Sequence, residues 1–139
     1  MLKLSLSLLV LLGTCAAQNA HPLTELQGTS RVLIVFAPNS NSASFLRQLQ
    51  LIERHAYELT ERNTVVIPVS LAGAEPHFSG ENLPLATSDE QASARNRFHV
   101  LPADFLVVLL SQDGTEQIRS ANPLDIHELT AKLDSLPRL

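Results

Sequence analysis

The feature that most constrains the fold of this 139-residue chain is the short run Val32–Phe36, which contains only Val, Leu, Ile and Phe. A run of apolar residues without polar alternation predicts a strand that is buried on both faces. Ala37 and Pro38 end that strand, and the polar segment Asn39–Ser42 then offers N-cap residues for an amphipathic helix. A strand that leads directly into a helix N-terminus is typical of α/β proteins, which often bind their ligands at such a turn because the first backbone N–H groups of the helix point outward.

The rest of the chain predicts alternating helices and strands. The first expected helix has an apolar stripe at Phe45, Leu49, Ile52, Ala56 and Leu59. We then expect a strand over Thr64–Ser70, a helix over Ser88–Phe98, and strands over Phe105–Leu110 and Glu116–Ser120. The last helix is capped by Asp125 and has an apolar stripe at Ile126, Leu129, Leu133 and Leu136. The long connections between the early strands predict parallel pairing, whereas Asp113-Gly114 predicts an antiparallel hairpin with positive φ angles at its turn. Pro68 marks a sheet edge or a bulge. This order predicts an α/β, thioredoxin-like fold, a four-stranded mixed sheet flanked by helices.

The first 17 residues have the composition of a secretory signal peptide. Lys3 provides the positive charge, Leu4–Leu12 the apolar segment, and Thr14–Ala17 a cleavage site of small residues. We therefore divide the chain into a signal peptide (1–17), an N-terminal lead-in (18–30) and one domain (31–139). No later segment approaches the ~20 apolar residues that a membrane-spanning helix needs, which predicts a secreted or periplasmic protein without a transmembrane segment in its mature form.

The single cysteine and the charge limit the chemistry further. Cys15 is the only cysteine and lies in the presumed signal, so no intramolecular disulfide is possible whether or not the signal is removed. The alternative is a lipoprotein that is acylated at Cys15, although Thr14 fits that signal poorly. Removal of Met1–Ala17 takes away one base and no acid, and changes the formal charge from −4 to −5. An acidic chain of this kind argues against a surface that binds nucleic acid.

Several segments together resemble a known family. They are Arg31–Pro38, Glu61–Val69, Arg97–Ser120 and Leu133–Arg138. The chain from about Leu23 to Arg138 resembles a thioredoxin/peroxiredoxin-like domain family of unknown function. That family comprises small secreted bacterial proteins and domains of animal extracellular proteins of the sushi-repeat-containing and DRO/URB/equarin types.

The resemblance also shows what this chain lacks. Thioredoxins carry a C-x-x-C motif directly after the first central strand, where the helix N-terminus lowers the thiol pKa. The matching positions here are Asn39, Ser40, Asn41 and Ser42. We therefore expect no dithiol redox chemistry, and we assign no catalytic, cofactor-binding or metal-binding residue.

Three functional hypotheses remain. The first is an exported, non-catalytic module that binds an extracytoplasmic protein or another ligand. The second is a cysteine-free enzyme or anion-binding protein that uses the N-terminus of the first helix, with Asn39–Ser42 and Arg119 as candidate ligand-binding residues. The third is a structural component of the cell envelope that is anchored through Cys15. The sequence does not indicate an oligomeric state.

Other candidate residues have simpler interpretations. His77 with Glu75 and Glu81 is the best metal-site candidate, but the spacing of these residues favours a polar loop. Helix capping accounts for Ser40 and Ser42 better than a nucleophilic role does, because no G-x-S-x-G motif is present. Asp104 and Arg119 could bind an anion, although a structural ion pair is the simpler expectation. The arginines of the first helical segment, Arg47, Arg54 and Arg62, alternate with glutamates and predict a solvated surface.

Overall fold

The central strand β1 (Arg31–Ala37) is buried at all seven positions. The structure is a computed structural model, and it describes residues 26–70 and 88–138. Three further strands complete the sheet, whose order is β2-β1-β3-β4: β2 (Thr64–Ser70), β3 (Leu106–Leu110) and β4 (Glu116–Ser120). The predicted four-stranded mixed sheet is confirmed.

Strand directions agree with the prediction at one long connection and differ at the other. β1 and β2 are parallel, in register from Arg31 opposite Thr64 to Ala37 opposite Ser70. β3 is antiparallel to both β1 and β4, so the expectation of parallel pairing after the second long connection was wrong. The reason lies in where that connection ends. β2 finishes beside the end of β1, and β3 begins with Leu106 opposite Phe36, at the same end of the sheet.

Four helices cover the two faces of the sheet: α1 (Ala43–Arg54), α2 (Ala56–Glu61), α3 (Ser88–Phe98) and α4 (Ile126–Ser135). We predicted α1 and α2 as one helix. The helix is interrupted at His55, whose φ of −120° and ψ of 23° leave helical geometry and whose N–H donates to the Ile52 carbonyl at 3.1 Å. The predicted cap of α4 is present, because Asp125 Oδ1 accepts from the His127 N–H at 2.8 Å.

Side chains of β1 alternate between two apolar cores. Leu33, Val35 and Ala37 pack in a first core with residues of α1, α2 and α4. Val32, Ile34 and Phe36 pack in a second core with Ala94 and Phe98 of α3. Full burial of an aliphatic side chain contributes roughly 1.5–3 kcal/mol, so both layers of helices stabilise this one strand.

The sheet edge and the hairpin explain the positions of Pro68 and Gly114. Pro68 lies in β2, an edge strand of the described sheet, where a missing N–H donor is tolerated. In the β3–β4 turn only Gly114 has a positive φ, 84°; we expected the same of Asp113, which instead accepts from the Thr115 N–H through Oδ1 at 2.9 Å. The end of the lead-in packs against this hairpin, because Gln27 Nε2 donates to the Asp113 carbonyl at 3.0 Å.

Several predictions concern residues outside the described ranges. They include the signal peptide over 1–17, the lipidation alternative at Cys15 and the metal candidate formed by His77, Glu75 and Glu81. Within residues 26–70 and 88–138, no helix has the length and apolar character needed to cross a bilayer.

Candidate functional site

The turn between β1 and α1 is held by its own backbone and by one asparagine side chain. Asn39 Oδ1 accepts from the Asn41 N–H at 3.0 Å, and the Asn39 carbonyl accepts from the Ser42 N–H at 3.3 Å. Ser42 occupies the N-cap position of α1 but its side chain makes no capping hydrogen bond. The predicted capping role of this serine is therefore not realised through its hydroxyl.

Exposure differs among the four residues of this turn. Asn39 and Asn41 are exposed, Ser42 is half-buried and Ser40 is buried. The groups that face outward are therefore neutral amides and one hydroxyl. They can donate and accept hydrogen bonds, but they carry no charge that could attract an ion.

Arg119 contacts residues outside the Asn39–Ser42 turn. Its Nη2 donates to the carbonyl of Phe98, the last residue of α3, and its Nη1 lies 3.7 Å from Glu116 Oε1. The expected ion pair with Asp104 is not formed, because Asp104 Oδ2 accepts from the Leu101 N–H at 3.0 Å instead. Among the described residues no hydrogen bond or ion pair connects Arg119 to the Asn39–Ser42 turn.

Arg95 of α3 lies next to the turn, and the sequence alone did not single it out. Its guanidinium is buried: Nη2 donates to the Ala37 carbonyl at 2.6 Å and Nη1 to the Leu101 carbonyl at 3.4 Å. Its Nε has no hydrogen-bond partner in the part of the chain that the structure describes, and the guanidinium lies 5.8 Å from the centre of the Phe36 ring. Burial lowers the pKa of Arg95, an effect that nearby Asp104 opposes. The guanidinium thus holds the end of β1 against the segment that precedes β3.

One signal in the sequence could have indicated this role. Arg95 lies beside Ala94 and three residues before Phe98, so it shares the face of α3 that packs on the sheet. An arginine on the apolar side of a short helix is unusual unless its head group finds partners. Two backbone carbonyls provide them here.

Histidines and carboxylates form one small surface group. His55 Nδ1 and Glu58 Oε1 are 3.0 Å apart, and the His55 and His127 rings lie 6.4 Å apart, centre to centre. The hydrogen bond with His55 is the main cause of the lowered pKa of Glu58. Within the part of the chain that the structure describes, no group of three or more His, Cys, Asp or Glu side chains could hold a metal ion.

Solved structures with the same architecture include peroxiredoxins and a thioredoxin. A reduced 2-Cys peroxiredoxin of Plasmodium vivax aligns with a TM-score of 0.63 at 20% identity, over 81% of this chain and 80% of that chain. A peroxidoxin of Mycobacterium tuberculosis gives 0.65 at 15% identity, over 84% and 86%. An exposed lipoprotein thioredoxin of Streptococcus pneumoniae gives 0.62 at 14% identity, over 82% and 90%. At these identities the similarity shows the thioredoxin-like fold alone.

Sequence comparison gives the family. No curated protein matches the chain, and the animal relatives that the resemblance implied remain a prediction. A family profile described as a domain of unknown function, DUF4174, matches residues 22–138, which is most of the chain. The chain therefore belongs to the DUF4174 family, on a thioredoxin-like fold.

Proposed function

We propose that this protein is an exported, non-catalytic binding module, and that it binds a partner protein around the Asn39–Ser42 turn. The fold places this turn where a strand leads into a helix N-terminus, a position at which α/β proteins commonly bind ligands. The turn carries no thiol, and its outward groups are amides and a hydroxyl. Such groups suit hydrogen bonding to a polypeptide better than proton or electron transfer.

The observation that carries the proposal is the distribution of exposed apolar side chains. Three large ones are exposed among the described residues: Leu46 at 50%, Leu101 at 66% and Tyr57 at 73%. Leu46 lies one helical turn after Ser42, to whose carbonyl its N–H donates at 3.0 Å. Leu101 lies near the end of β1 because Arg95 donates to the carbonyls of both Leu101 and Ala37. Two of the three therefore flank the turn.

A surface of this composition fits a protein partner. Protein interfaces combine apolar contacts with hydrogen bonds between polar groups. Leu46 and Leu101 would supply the apolar contacts, and Asn39 and Asn41 the hydrogen bonds. The export part of the proposal rests on the signal-like segment 1–17, and one of the similar structures is itself described as an exposed lipoprotein.

The binding proposal can be tested with matched variants. The mature chain, immobilised as bait, is exposed to an envelope or culture-medium fraction, and bound proteins are identified by mass spectrometry. We expect a specific partner that is lost with Leu46→Ser combined with Leu101→Ser. The control Tyr57→Ser removes the third exposed apolar side chain and should retain the partner. Equal capture by all three baits, or no specific capture, would contradict the proposal.

Two further measurements separate the alternatives. Purified protein should reduce insulin and consume hydroperoxide only at background rates, whereas catalytic turnover would rule out the non-catalytic assignment. Mass spectrometry of the mature N-terminus distinguishes cleavage after the signal from lipidation of Cys15.

The second hypothesis, a site at the N-terminus of α1, has one observation in its favour. The Ser42 side chain accepts no capping hydrogen bond from the first N–H groups of α1. Replacement of Asn39–Ser42 by alanines would abolish ligand binding under that hypothesis. Under the leading proposal, the Leu46 and Leu101 variants would have the larger effect.

A further inference from the structure

A polar cavity lies at the opposite end of β1 from the Asn39–Ser42 turn. It has a volume of about 260 Å³ and is located where β1 begins, between the α2–β2 corner and the C-terminal end of α4. Seven strand residues separate the two sites, a distance of roughly 20 Å. The charged residues that line this cavity are Arg31, Glu61, Arg62, Asp134 and Arg138.

Arg31 brings a buried positive charge to the cavity, and it forms no ion pair with any residue of 26–70 or 88–138. It is only 7% exposed, and its guanidinium donates to backbone carbonyls: Nη1 to Arg62 at 3.2 Å, and Nη2 to Pro137 at 3.2 Å and Leu136 at 3.5 Å. These acceptors are neutral, so they satisfy hydrogen bonds without cancelling the positive charge.

One carboxylate is shared among the three arginines. Asp134 accepts from Arg62 through both oxygens, Nε to Oδ1 at 2.8 Å and Nη2 to Oδ2 at 3.2 Å. The Arg62 hydrogen bond is the main cause of the lowered pKa of Asp134, and the charges of Arg62, Arg138 and Arg31 add to it. Three cations thus act on this one anion.

The second carboxylate, Glu61, has another neighbour. Glu61 raises the pKa of Tyr57, through a side-chain hydrogen bond and through its charge. Three arginines and two carboxylates leave the cavity with a formal charge of +1, on a chain whose formal charge is −4. A local excess of positive charge in an acidic protein concentrates small anions.

Hydrogen-bond donors remain for such an anion. Each guanidinium has five N–H groups. Arg62 uses three of them, two on Asp134 and one on the Glu58 carbonyl at 2.8 Å. Arg138 is exposed at the rim, and its guanidinium makes no hydrogen bond to any residue within 26–70 and 88–138.

We propose that this cavity binds a small phosphate-type oxyanion, held by Arg138 and by the remaining donors of Arg62 and Arg31. A cavity of about 260 Å³ accommodates phosphate with a small substituent but not a large cofactor. A tetrahedral dianion offers acceptor oxygens in several directions and can therefore meet guanidinium groups from different elements, which a planar carboxylate does less well.

Inorganic phosphate is the probe for the first test. The mature chain is titrated at constant ionic strength by calorimetry and by backbone amide NMR. We expect saturable binding that shifts the resonances of Arg31, Asn63 and Asp134, competition by sulfate, and little competition by acetate. Absence of saturable binding in the millimolar range would overturn the site, and acetate binding as tight as phosphate binding would overturn the assigned ligand class.

Variants with opposite expected effects on phosphate affinity test whether phosphate binds in this cavity. Arg138→Gln should weaken phosphate binding roughly threefold to tenfold, because it removes a charge-assisted hydrogen bond at an exposed rim. Asp134→Asn should strengthen binding, because it removes the competing carboxylate. Arg47→Gln, an exposed arginine on α1, is the matched control and should bind as the wild type does. Equal effects of Arg138→Gln and Arg47→Gln would overturn the proposal. Partner capture through Leu46 and Leu101 should be unchanged in Arg138→Gln, so the two proposals fail independently.

Discussion

The side-chain amide of Gln48 makes both hydrogen bonds that Leu124 offers. Its Nε2 donates to the Leu124 carbonyl at 3.3 Å, and its Oε1 accepts from the Leu124 N–H at 2.6 Å. Gln48 is fully buried within α1, among the residues of the first core. The pair joins α1 to the segment that precedes α4 and satisfies the backbone of Leu124 where no strand or helix does.

Replacement of Gln48 by leucine should destabilise the protein strongly. Leucine retains the apolar volume, but the N–H and carbonyl of Leu124 lose their partners, which costs about 2–4 kcal/mol of unfolding free energy. The matched control is Gln50→Leu, two residues away on the exposed side of α1, where we expect a change within ~0.5 kcal/mol. Urea denaturation measures both, and equal stabilities of the two variants would contradict the role of Gln48.

His99→Gly should stabilise the protein. His99 follows the last residue of α3 with a φ of 55°, in the left-handed region that favours glycine. The Val100 N–H donates to the Arg95 carbonyl at 2.9 Å and the His99 N–H to the Asn96 carbonyl at 3.3 Å, which is the Schellman pattern of a helix end. Glycine removes the steric cost of this conformation, and we expect a gain of about 0.5–1 kcal/mol.

The control for His99 uses the same substitution in the first turn of a helix. His127→Gly in α4 makes the same change to the unfolded chain but should cost up to about 1 kcal/mol. Thermal or chemical denaturation gives both values. Destabilisation by His99→Gly as large as that by His127→Gly would show that the helix end does not depend on the left-handed conformation.

Asp113 should make stability depend on acid pH. Its hydrogen bonds with Ser111 and Thr115 lower its pKa from 3.8 to about 2. Because the folded state favours the charged form, the contribution of Asp113 is present above the ordinary pKa and decreases as pH falls from 3.8 toward about 2. Asp113→Asn removes this titration, so the melting temperature of the wild type should exceed that of the variant at neutral pH. The two should converge near the low end of that interval, and a constant difference would contradict the prediction.

Arg95→Met should loosen the end of β1. The substitution leaves the carbonyls of Ala37 and Leu101 without their donor, which we expect to cost about 1–3 kcal/mol. Arg97→Met, an exposed change in the same helix, is the control and should have little effect. Hydrogen exchange at the amides of Asn41 and Ser42 tests the local consequence, since both should exchange faster only in Arg95→Met. Unchanged exchange would mean that Arg95 does not support the turn.

Local patterns in the sequence predicted the elements well. The apolar run at β1, the Asp125 cap and the Asp113-Gly114 turn are short-range features, and each appears where it was expected. The break at His55 was not predicted, because the apolar stripe continues through it from Ile52 to Leu59. The direction of β3 also could not be read from the length of the preceding connection, which returns to the end of the sheet that it left.

The buried polar residues were harder to predict than the elements. Gln48 and Arg95 are polar residues whose partners lie 76 and 58 residues away in the chain. A sequence pattern classifies such residues as surface, since their burial depends on contacts that exist only after folding. The same reason explains Arg119, whose partner Phe98 could not be inferred from its position after the hairpin.

The alternation of β1 side chains has a consequence for how the molecule melts. Since Leu33, Val35 and Ala37 support one core while Val32, Ile34 and Phe36 support the other, neither helical layer can detach without exposing the strand on which the opposite layer rests. Unfolding of one core is therefore coupled to unfolding of the other through β1. Calorimetry should therefore record one sharp endotherm, and the amide protons of β1 should be released to solvent only in the rare event that the entire domain opens.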